Sequence, residues 1–289
     1  MTTAPSRHTS LVTGANTGLG RATAMALAQR GDRVILACRS GDKAQAVIEE
    51  ISSATGNRDL EFLRLDLADL DSARAAAAQL VERAEPLHLL VANAGIAGQR
   101  GMTAQGFELA FGVNHLGHFA FVTGVLDLLR SSAAPGGEPA RLVVVSSGSH
   151  YEVKRGIDFD ALRQSTPSLT GLPEYAVSKL ANLLFVREVC RRVPADELFV
   201  VGLHPGNLIG TDVMRRLPGP LNRLMKRFRP TPEFGARTSV MCSTSADVLA
   251  HRGAYYSVGQ LKEPSALVTA ALAEELWRRS EEWCAATGA

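Results

Sequence analysis

The chain has 289 residues, 46% of them hydrophobic and 21% charged, with a formal net charge of +2. Such a balance excludes an intrinsically disordered chain, allows a sizeable buried core and gives no electrostatic ground for nucleic-acid binding. Cys38, Cys190, Cys242 and Cys284 lack Cys-x-x-Cys spacing, so neither a disulfide frame nor a zinc site is expected, and no metal ligand set stands out. Residues 1–10 lack the apolar core of a signal peptide. The longest apolar stretch, 119–129, is interrupted by Asp127 and falls short of the roughly 20 residues a membrane-spanning helix needs. The C-terminus carries no lipidation motif. The expectation is a cytoplasmic protein with no integral membrane segment.

Apolar strand-like runs alternate with helix-like segments along the chain. Strands are predicted over 9–13, 33–38, 60–65, 87–92, 142–146 and 198–203. Helices are predicted over 19–30, 43–53, 72–84, 104–129 and 175–192. The run Leu142-Val143-Val144-Val145 is apolar throughout, as is most of 87–91, which suits a parallel sheet covered on both faces. The expected fold is α/β: a single Rossmann-like, doubly wound parallel sheet spanning 1–289 as one domain. Two irregular segments interrupt it, an insertion at about 148–174 and a lid at about 206–232. Loops of that length in a compact domain are usually functional.

The first strand runs into Thr13-Gly14-Ala15-Asn16-Thr17-Gly18-Leu19-Gly20, and a helix begins at once. This G-x-x-x-G-x-G spacing is a variant of the dinucleotide fingerprint. Gly14 permits the tight turn, Gly18 the approach of backbone to a pyrophosphate, and Gly20 close packing of helix on sheet. The second strand ends Ala37-Cys38-Arg39-Ser40, with no carboxylate where NAD-binding units hold the ribose 2′-OH. Arg39, assisted by Ser40 and Lys43, suits the 2′-phosphate of NADP(H). A solvated surface arginine is the competing reading. Asp66 follows the third strand and either reaches adenine or caps a helix.

Tyr175 and Lys179 lie four positions apart and so share one helix face. An ammonium about 4 Å from a phenol is worth about 4 kcal/mol at an effective dielectric of about 20. That would lower the phenol pKa by up to about three units and make it a proton-transfer group near neutrality.

Together these pieces resemble the short-chain dehydrogenase/reductase family. The resemblance rests on Thr13-Gly14-x-x-x-Gly18-x-Gly20, Asn93-Ala94-Gly95, Asn114, Ser146-Ser147, Tyr175-x-x-x-Lys179 and Pro205-Gly206, in that order along the chain. Finer wording is similar to the branch of retinol dehydrogenases, the WW-domain oxidoreductase and, in part, protochlorophyllide reductase. Examples are Val113-Asn114-His115-Leu116-Gly117-His118-Phe119 and His204-Pro205-Gly206-Asn207. The resemblance implies that Tyr175 is the general acid/base and that Ser147, more than Ser146, bonds the substrate oxygen. It implies that Lys179 lowers the Tyr175 pKa and holds the nicotinamide ribose, while Asn114 holds a relay water. The implied cofactor surface comprises Gly14, Asn16, Thr17, Gly18, Leu19 and Gly20, with Arg39, Ser40, Asp66 and Leu67 at the adenosine end. Asn93, Ala94, Gly95, Tyr175, Lys179, Pro205, Gly206, Asn207, Leu208 and Thr211 follow toward the nicotinamide. His115, His118 and His204 are read as packing or hydrogen-bonding residues.

Ser147 and Tyr175 are 28 positions apart (175 − 147), against about a dozen in shorter members. The inserted stretch, with His150, Tyr151 and Lys154, is expected to border the substrate. In the lid, 214–229 reads as a helix with Leu217, Leu221, Leu224, Met225 and Phe228 on one face. That face lines a pocket for a bulky apolar compound or packs as an ordinary helix. Alternatively, the basic face of Arg215, Arg216, Arg223, Lys226 and Arg227 meets a membrane or an acidic partner. The implied activity is an NADP(H)-dependent ketoreductase acting on a carbonyl/alcohol pair of a mostly apolar small molecule, in a homodimer or homotetramer. The alternatives are an NADP-binding scaffold without turnover and a photochemical C=C reductase.

Overall fold

A computed structural model describes residues 8–133, 137–206 and 231–286. Its centre is one eight-stranded sheet in the order β3-β2-β1-β4-β5-β6-β7-β8. The strands are β1 (Thr9–Thr13), β2 (Arg33–Cys38), β3 (Leu60–Arg64), β4 (Leu89–Ala92), β5 (Ala140–Val145), β6 (Leu198–His204), β7 (Tyr255–Ser257) and β8 (Gln260–Lys262). The first seven run parallel, and β8 closes one edge as the antiparallel arm of a hairpin.

Both faces of the sheet are buried, and successive residues divide between them. Leu11, Ile35, Leu90, Leu142, Val144 and Val200 point into one core. Val12, Val34, Leu36, Val91, Val143 and Val201 point into the other. That period of two is what a central parallel strand requires, and it explains why the strands are apolar throughout. Helices α1 (Gly18–Arg30) and α2 (Gly41–Thr55) supply apolar residues to the second core. Helix α3 (Leu70–Arg83) lines the first core.

The long helix expected over 104–129 is three pieces. Residues before Leu109 form a turn and an isolated bridge between Met102 and Glu108, with Gly106 at φ +75°. The helical run then consists of α4 (Leu109–Phe111), a π-helical turn (Gly112–Leu116) and α5 (Gly117–Gly124). It breaks at Val125, φ −109° and ψ 9°, before α6 (Leu126–Ser131). Close packing at Gly117 belongs to this path: a Cβ there would meet the Leu67 carbonyl oxygen at 2.3 Å.

Helix α7 (Leu172–Arg192) starts three residues before the predicted Tyr175, because Gly171 and Pro173 set its first turn. The insertion at 148–174 contains two 3₁₀ turns, Gly148–Glu152 and Ala161–Arg163. It is anchored by Glu108, which is buried and accepts from the Thr166 hydroxyl and the Phe111 N–H. After Thr231, α8 (Pro232–Thr244) joins the second core, and α9 (Ala270–Ala286) lays Trp277 and Leu276 on the first. The predicted lid helix at 214–229, together with Asn207, Leu208 and Thr211, lies outside the described residues. Among the described residues, no helix is long and apolar enough to cross a membrane.

The β7–β8 hairpin turns on Val258 and Gly259, at φ +51° and +76°. Two left-handed residues in a two-residue turn favour Asn-Gly, and a β-branched residue is strained there. The side chain of Val258 is 46% exposed and contributes little packing in return. Val258→Asn is therefore expected to raise stability by about 1 kcal/mol and Tm by about 2 °C in thermal unfolding. An unchanged or lower Tm would mean the turn carries no strain.

Candidate active site

The strand order reverses between β1 and β4, and the predicted site residues gather at the carboxyl ends of these strands and of β5 and β6. β1 runs from Thr13 into Gly14, at φ +67°, whose N–H donates to the Ala37 carbonyl at 2.8 Å. Gly18, at φ +52°, has nothing within 4 Å of where a Cβ would stand. A Cβ on Gly20 would strike the Gly14 carbonyl oxygen at 2.4 Å and Asn93 Nδ2 at 2.5 Å. One glycine thus leaves open space and the other allows contact. Thr17 is the N-cap of α1 but makes no side-chain capping bond, and no acidic residue occupies the first turn. The N–H groups of that turn are aimed where an anion would be held.

Arg39 follows β2 with its side chain 76% exposed, 3.9 Å from Asp66 across the carboxyl end of the sheet. Asp66 does not cap α3. Its Oδ1 accepts from Ala68 N at 3.0 Å, and the cap is Asp69, accepting from Asp71 N at 3.0 Å. Ser40 caps α2 by accepting from Lys43 N at 3.5 Å. Burial pushes the Cys38 thiol up to about 11, so it is an inert thiol at neutral pH. Leu67 is buried beside this corner.

A buried polar network ties the cradle to β4 and the π turn. The Thr13 hydroxyl accepts from Asn93 N and Ala94 N, each at 2.9 Å. Both lone pairs are then engaged, so its own proton goes to His118 Nε2 at 2.9 Å. His118 Nδ1 carries the ring proton and donates to the Asn114 carbonyl at 3.1 Å. Burial, with the Lys179 charge nearby, holds His118 down at about 4, so it stays neutral. Asn93 Nδ2 donates to the Thr13 carbonyl at 2.8 Å, while Asn93 Oδ1 is buried and has no hydrogen-bond partner among the described residues.

The Asn114 side chain makes three hydrogen bonds. Its Nδ2 donates to the Ile96 carbonyl and to Ser178 Oγ, both at 2.9 Å, and its Oδ1 accepts from Ile96 N at 2.8 Å. It clamps the loop after β4 to α7. Both amide protons are spent, so a relay water on this residue would have to donate to it, at the second lone pair of Oδ1 or at the main-chain carbonyl.

At the end of β5, Ser146 Oγ donates to the Lys179 carbonyl at 2.7 Å. The Val145 carbonyl accepts from Lys179 Nζ at 2.9 Å and from Asn182 Nδ2 at 3.1 Å. Lys179 is 3% exposed, and burial lowers it to about 8, so it remains a cation at neutral pH. Gly95 lies against both Lys179 and Asn114, since a Cβ there would meet Nζ at 3.3 Å and Oδ1 at 3.2 Å. Ser147 is buried beside the Tyr175 phenol, and its hydroxyl favours the ionised phenol.

The expected lowering of the Tyr175 pKa is not found. Burial raises it, outweighing the Ser147 contact, and the Glu152 charge adds to the rise. Lys179 Nζ stands 5.7 Å from the ring centroid and spends a hydrogen bond on Val145, and its charge is not among the influences that shift the phenol.

Tyr175, Ser147, Lys179 and Asn114 thus converge at the mouth of the glycine cradle. Pro205 and Gly206, at φ +130°, close the same end after β6. A short-chain dehydrogenase family model matches residues 8–157. Retinol dehydrogenase 11 of Mus musculus is 39% identical over 257 residues, 87% of this chain and 78% of that one. The chain belongs to the short-chain dehydrogenase family. Human retinol dehydrogenase 14 is 39% identical over 297 residues, covering 94% of this chain and 85% of its own. Among solved structures of similar fold is an uncharacterised protein from Mycobacterium paratuberculosis, with TM-score 0.75 and 30% identity over 96% of this chain and 93% of that one. A Shigella flexneri short-chain dehydrogenase complexed with NADP has TM-score 0.68 and 21% identity, over 88% and 97% of the two chains. The chain is therefore an oxidoreductase of the retinol-dehydrogenase-like branch.

The family motifs locate the residues that face the cleft. They contain Thr13 and His118, and they flank Lys179 with Ser178 and Asn182, without telling which groups these buried side chains support. The Lys179 charge sets a pH dependence. With a pKa of about 8, kcat/KM for carbonyl reduction is expected to fall as pH rises through about 8 and the ammonium is lost. A profile level to about pH 10 would show that the free enzyme does not use this charge.

Proposed function

We propose that this chain is an NADP(H)-dependent reductase of carbonyl groups on mostly apolar small molecules, with Tyr175 as proton donor. The observation that carries the reading is a partly buried, neutral phenol beside the Ser147 hydroxyl, near a buried cation and at the open end of a glycine cradle. The residues present fit a nicotinamide dinucleotide. Gly14, Gly18 and Gly20 with Asn16, Thr17 and Leu19 would hold the pyrophosphate at the α1 N-terminus. Arg39 and Ser40 would meet the 2′-phosphate, with Asp66 and Leu67 beside adenine. Asn93 offers its unpartnered Oδ1, next to Ala94 and Gly95, and Pro205 and Gly206 lie toward the nicotinamide. Asn207, Leu208 and Thr211 belong to the same proposal by resemblance.

The bound cofactor would supply hydride to the carbonyl carbon. The proton comes from this chain. The raised pKa keeps Tyr175 protonated at neutral pH, which is the state a general acid needs. Ser147 Oγ accepts from Ser149 N at 3.2 Å, which leaves its own proton to donate to the substrate oxygen. Two hydroxyls then steady the developing alkoxide. Lys179, charged and desolvated, stabilises the phenolate left behind and would hold the ribose. The apolar character of the substrate is supported by exposed Leu169 and by Leu172 and Tyr151 in and beside the insertion, and by relatives named for retinol.

Two measurements test the reading. Tyr175→Phe keeps the ring and removes the proton. Its turnover of all-trans-retinaldehyde is expected to fall by about a hundredfold or more with NADPH affinity unchanged, and near-normal turnover would refute the assignment. Arg39 makes the cofactor test. A charge-assisted contact is worth about 1.5–3 kcal/mol, so NADPH should exceed NADH by about tenfold or more in kcat/KM. Arg39→Ala should erase most of that preference through NADPH alone, whereas equal use of both cofactors by the wild type would leave Arg39 a surface charge.

A further inference from the structure

The insertion carries a buried imidazole that the reaction above does not use. His150 is fully buried in the 3₁₀ turn Gly148–Glu152. Its Nδ1 lies 2.6 Å from the Ser147 carbonyl oxygen, and its Nε2 lies 3.1 Å from Ser265 N. The Ser265 N–H is a main-chain group and can only donate, so Nε2 is the acceptor. The ring proton is therefore on Nδ1 and is given to the Ser147 carbonyl. Burial and the nearby His204 both favour this neutral form. The ring is packed against Tyr151 at 3.9 Å and Tyr255 at 4.9 Å between centroids. Tyr151 in turn donates its hydroxyl to the Glu263 carbonyl.

Ser147 needs this clamp. It stands beyond the last paired residue of β5, Val145, where the chain leaves the sheet. Its hydroxyl is oriented by accepting from Ser149 N, and that bond exists only while the turn is wound. The main-chain bond made by the turn itself, His150 N to the Ser147 carbonyl, is 3.2 Å long, and 3₁₀ bonds are poorly aligned. The shorter Nδ1 contact is the second tie on the same oxygen. Through Ser265, it also fastens the turn to the segment between β8 and α9.

We propose that His150 is a positioning residue: by holding the Ser147 carbonyl through Nδ1–H it fixes the Ser147 hydroxyl toward Tyr175 and the substrate oxygen. The proposal rests on the reading of Ser147 given above. It also assigns the insertion a task, which is to carry a brace for the serine that precedes it.

The two ring nitrogens are separable by substitution. The Asn side-chain amide reaches the Nδ1 position and can donate to the Ser147 carbonyl, losing only the Ser265 contact. Gln reaches the Nε2 position and can accept from Ser265, losing the Ser147 contact. Leu loses both. kcat and KM for all-trans-retinaldehyde would be measured at saturating NADPH for His150→Asn, His150→Gln, His150→Leu and Ser147→Ala, with Tm and NADPH affinity on each. Misplacing a reacting group by about 1 Å costs up to about a hundredfold, so His150→Gln and His150→Leu should lose about 10- to 100-fold in kcat with KM and NADPH affinity nearly unmoved. His150→Asn should stay within about threefold of the wild type. If Asn is as slow as Gln, or if Leu keeps full kcat while Tm falls, His150 is only a packing residue and the proposal is overturned. Should the Leu variant fail to fold, the Asn and Gln pair still decides. Near-normal turnover by Ser147→Ala would overturn the reading of Ser147 itself, whereas a slow Ser147→Ala with normal His150 variants overturns the positioning role alone.

Discussion

The Thr13 hydroxyl is the point on which the cleft depends. It sits at the carboxyl end of β1, next to the topological switch, and makes three hydrogen bonds: two accepted from the N–H groups of Asn93 and Ala94, one given to His118. Those bonds hold the ends of β1 and β4 together where Gly14 must turn beneath the cradle. A buried N–H left without a partner costs about 1–3 kcal/mol, and an apolar residue at this position would strand that of Ala94 and leave Asn93 N only the Val91 carbonyl. The same hydroxyl fixes the His118 tautomer, and through it the Asn114 carbonyl in the π turn. The irregularity of the helix at 112–116 follows from this: the segment must present Asn114 to Ile96 and Ser178 as well as complete its own hydrogen bonds.

A second clamp is made across β5 and α7. The Val145 carbonyl takes donors from Lys179 and Asn182, and Ser146 returns a bond to the Lys179 carbonyl. A buried ammonium paired with no carboxylate among the described residues would be costly if left unsolvated, and here a carbonyl at the strand end substitutes for water. The result is that Lys179 keeps a charge at neutral pH but loses some basicity, and that α7 cannot slide along the sheet. Tyr175, one turn earlier on the same helix, inherits its place from that registration.

Much of the fold was legible because the physics is local. Alternation of apolar runs, the glycine spacing at 14, 18 and 20, and the Tyr175–Lys179 spacing each reflect contacts within one element or one turn. The 104–129 segment misled because its composition is helical while its path is set by partners far away, Leu67 against Gly117 and Leu162 and Thr166 against Glu108. Asp66 was ambiguous for a related reason: Asp66 and Asp69 both precede α3, and only the backbone path decides which one caps. His118 lies in an apolar run and His150 among serines, yet both rings are buried. Only the identity of the group facing each nitrogen reveals which one braces the cradle and which one braces Ser147.

The Tyr175 environment carries the last step. Sequence spacing alone argues for a phenol made acidic by a neighbouring ammonium. The folded site turns that ammonium toward the Val145 carbonyl, 5.7 Å from the ring centroid, and desolvation of the partly buried phenol favours its neutral form. A neutral phenol is a donor and a poor base, so under the proposed reaction the resting site would be prepared to give a proton to a substrate oxygen. The Lys179 charge would gain its value later, when the proton had gone and a phenolate remained in a poorly solvated place. Burial would set the starting protonation state, and the cation would limit the cost of leaving it.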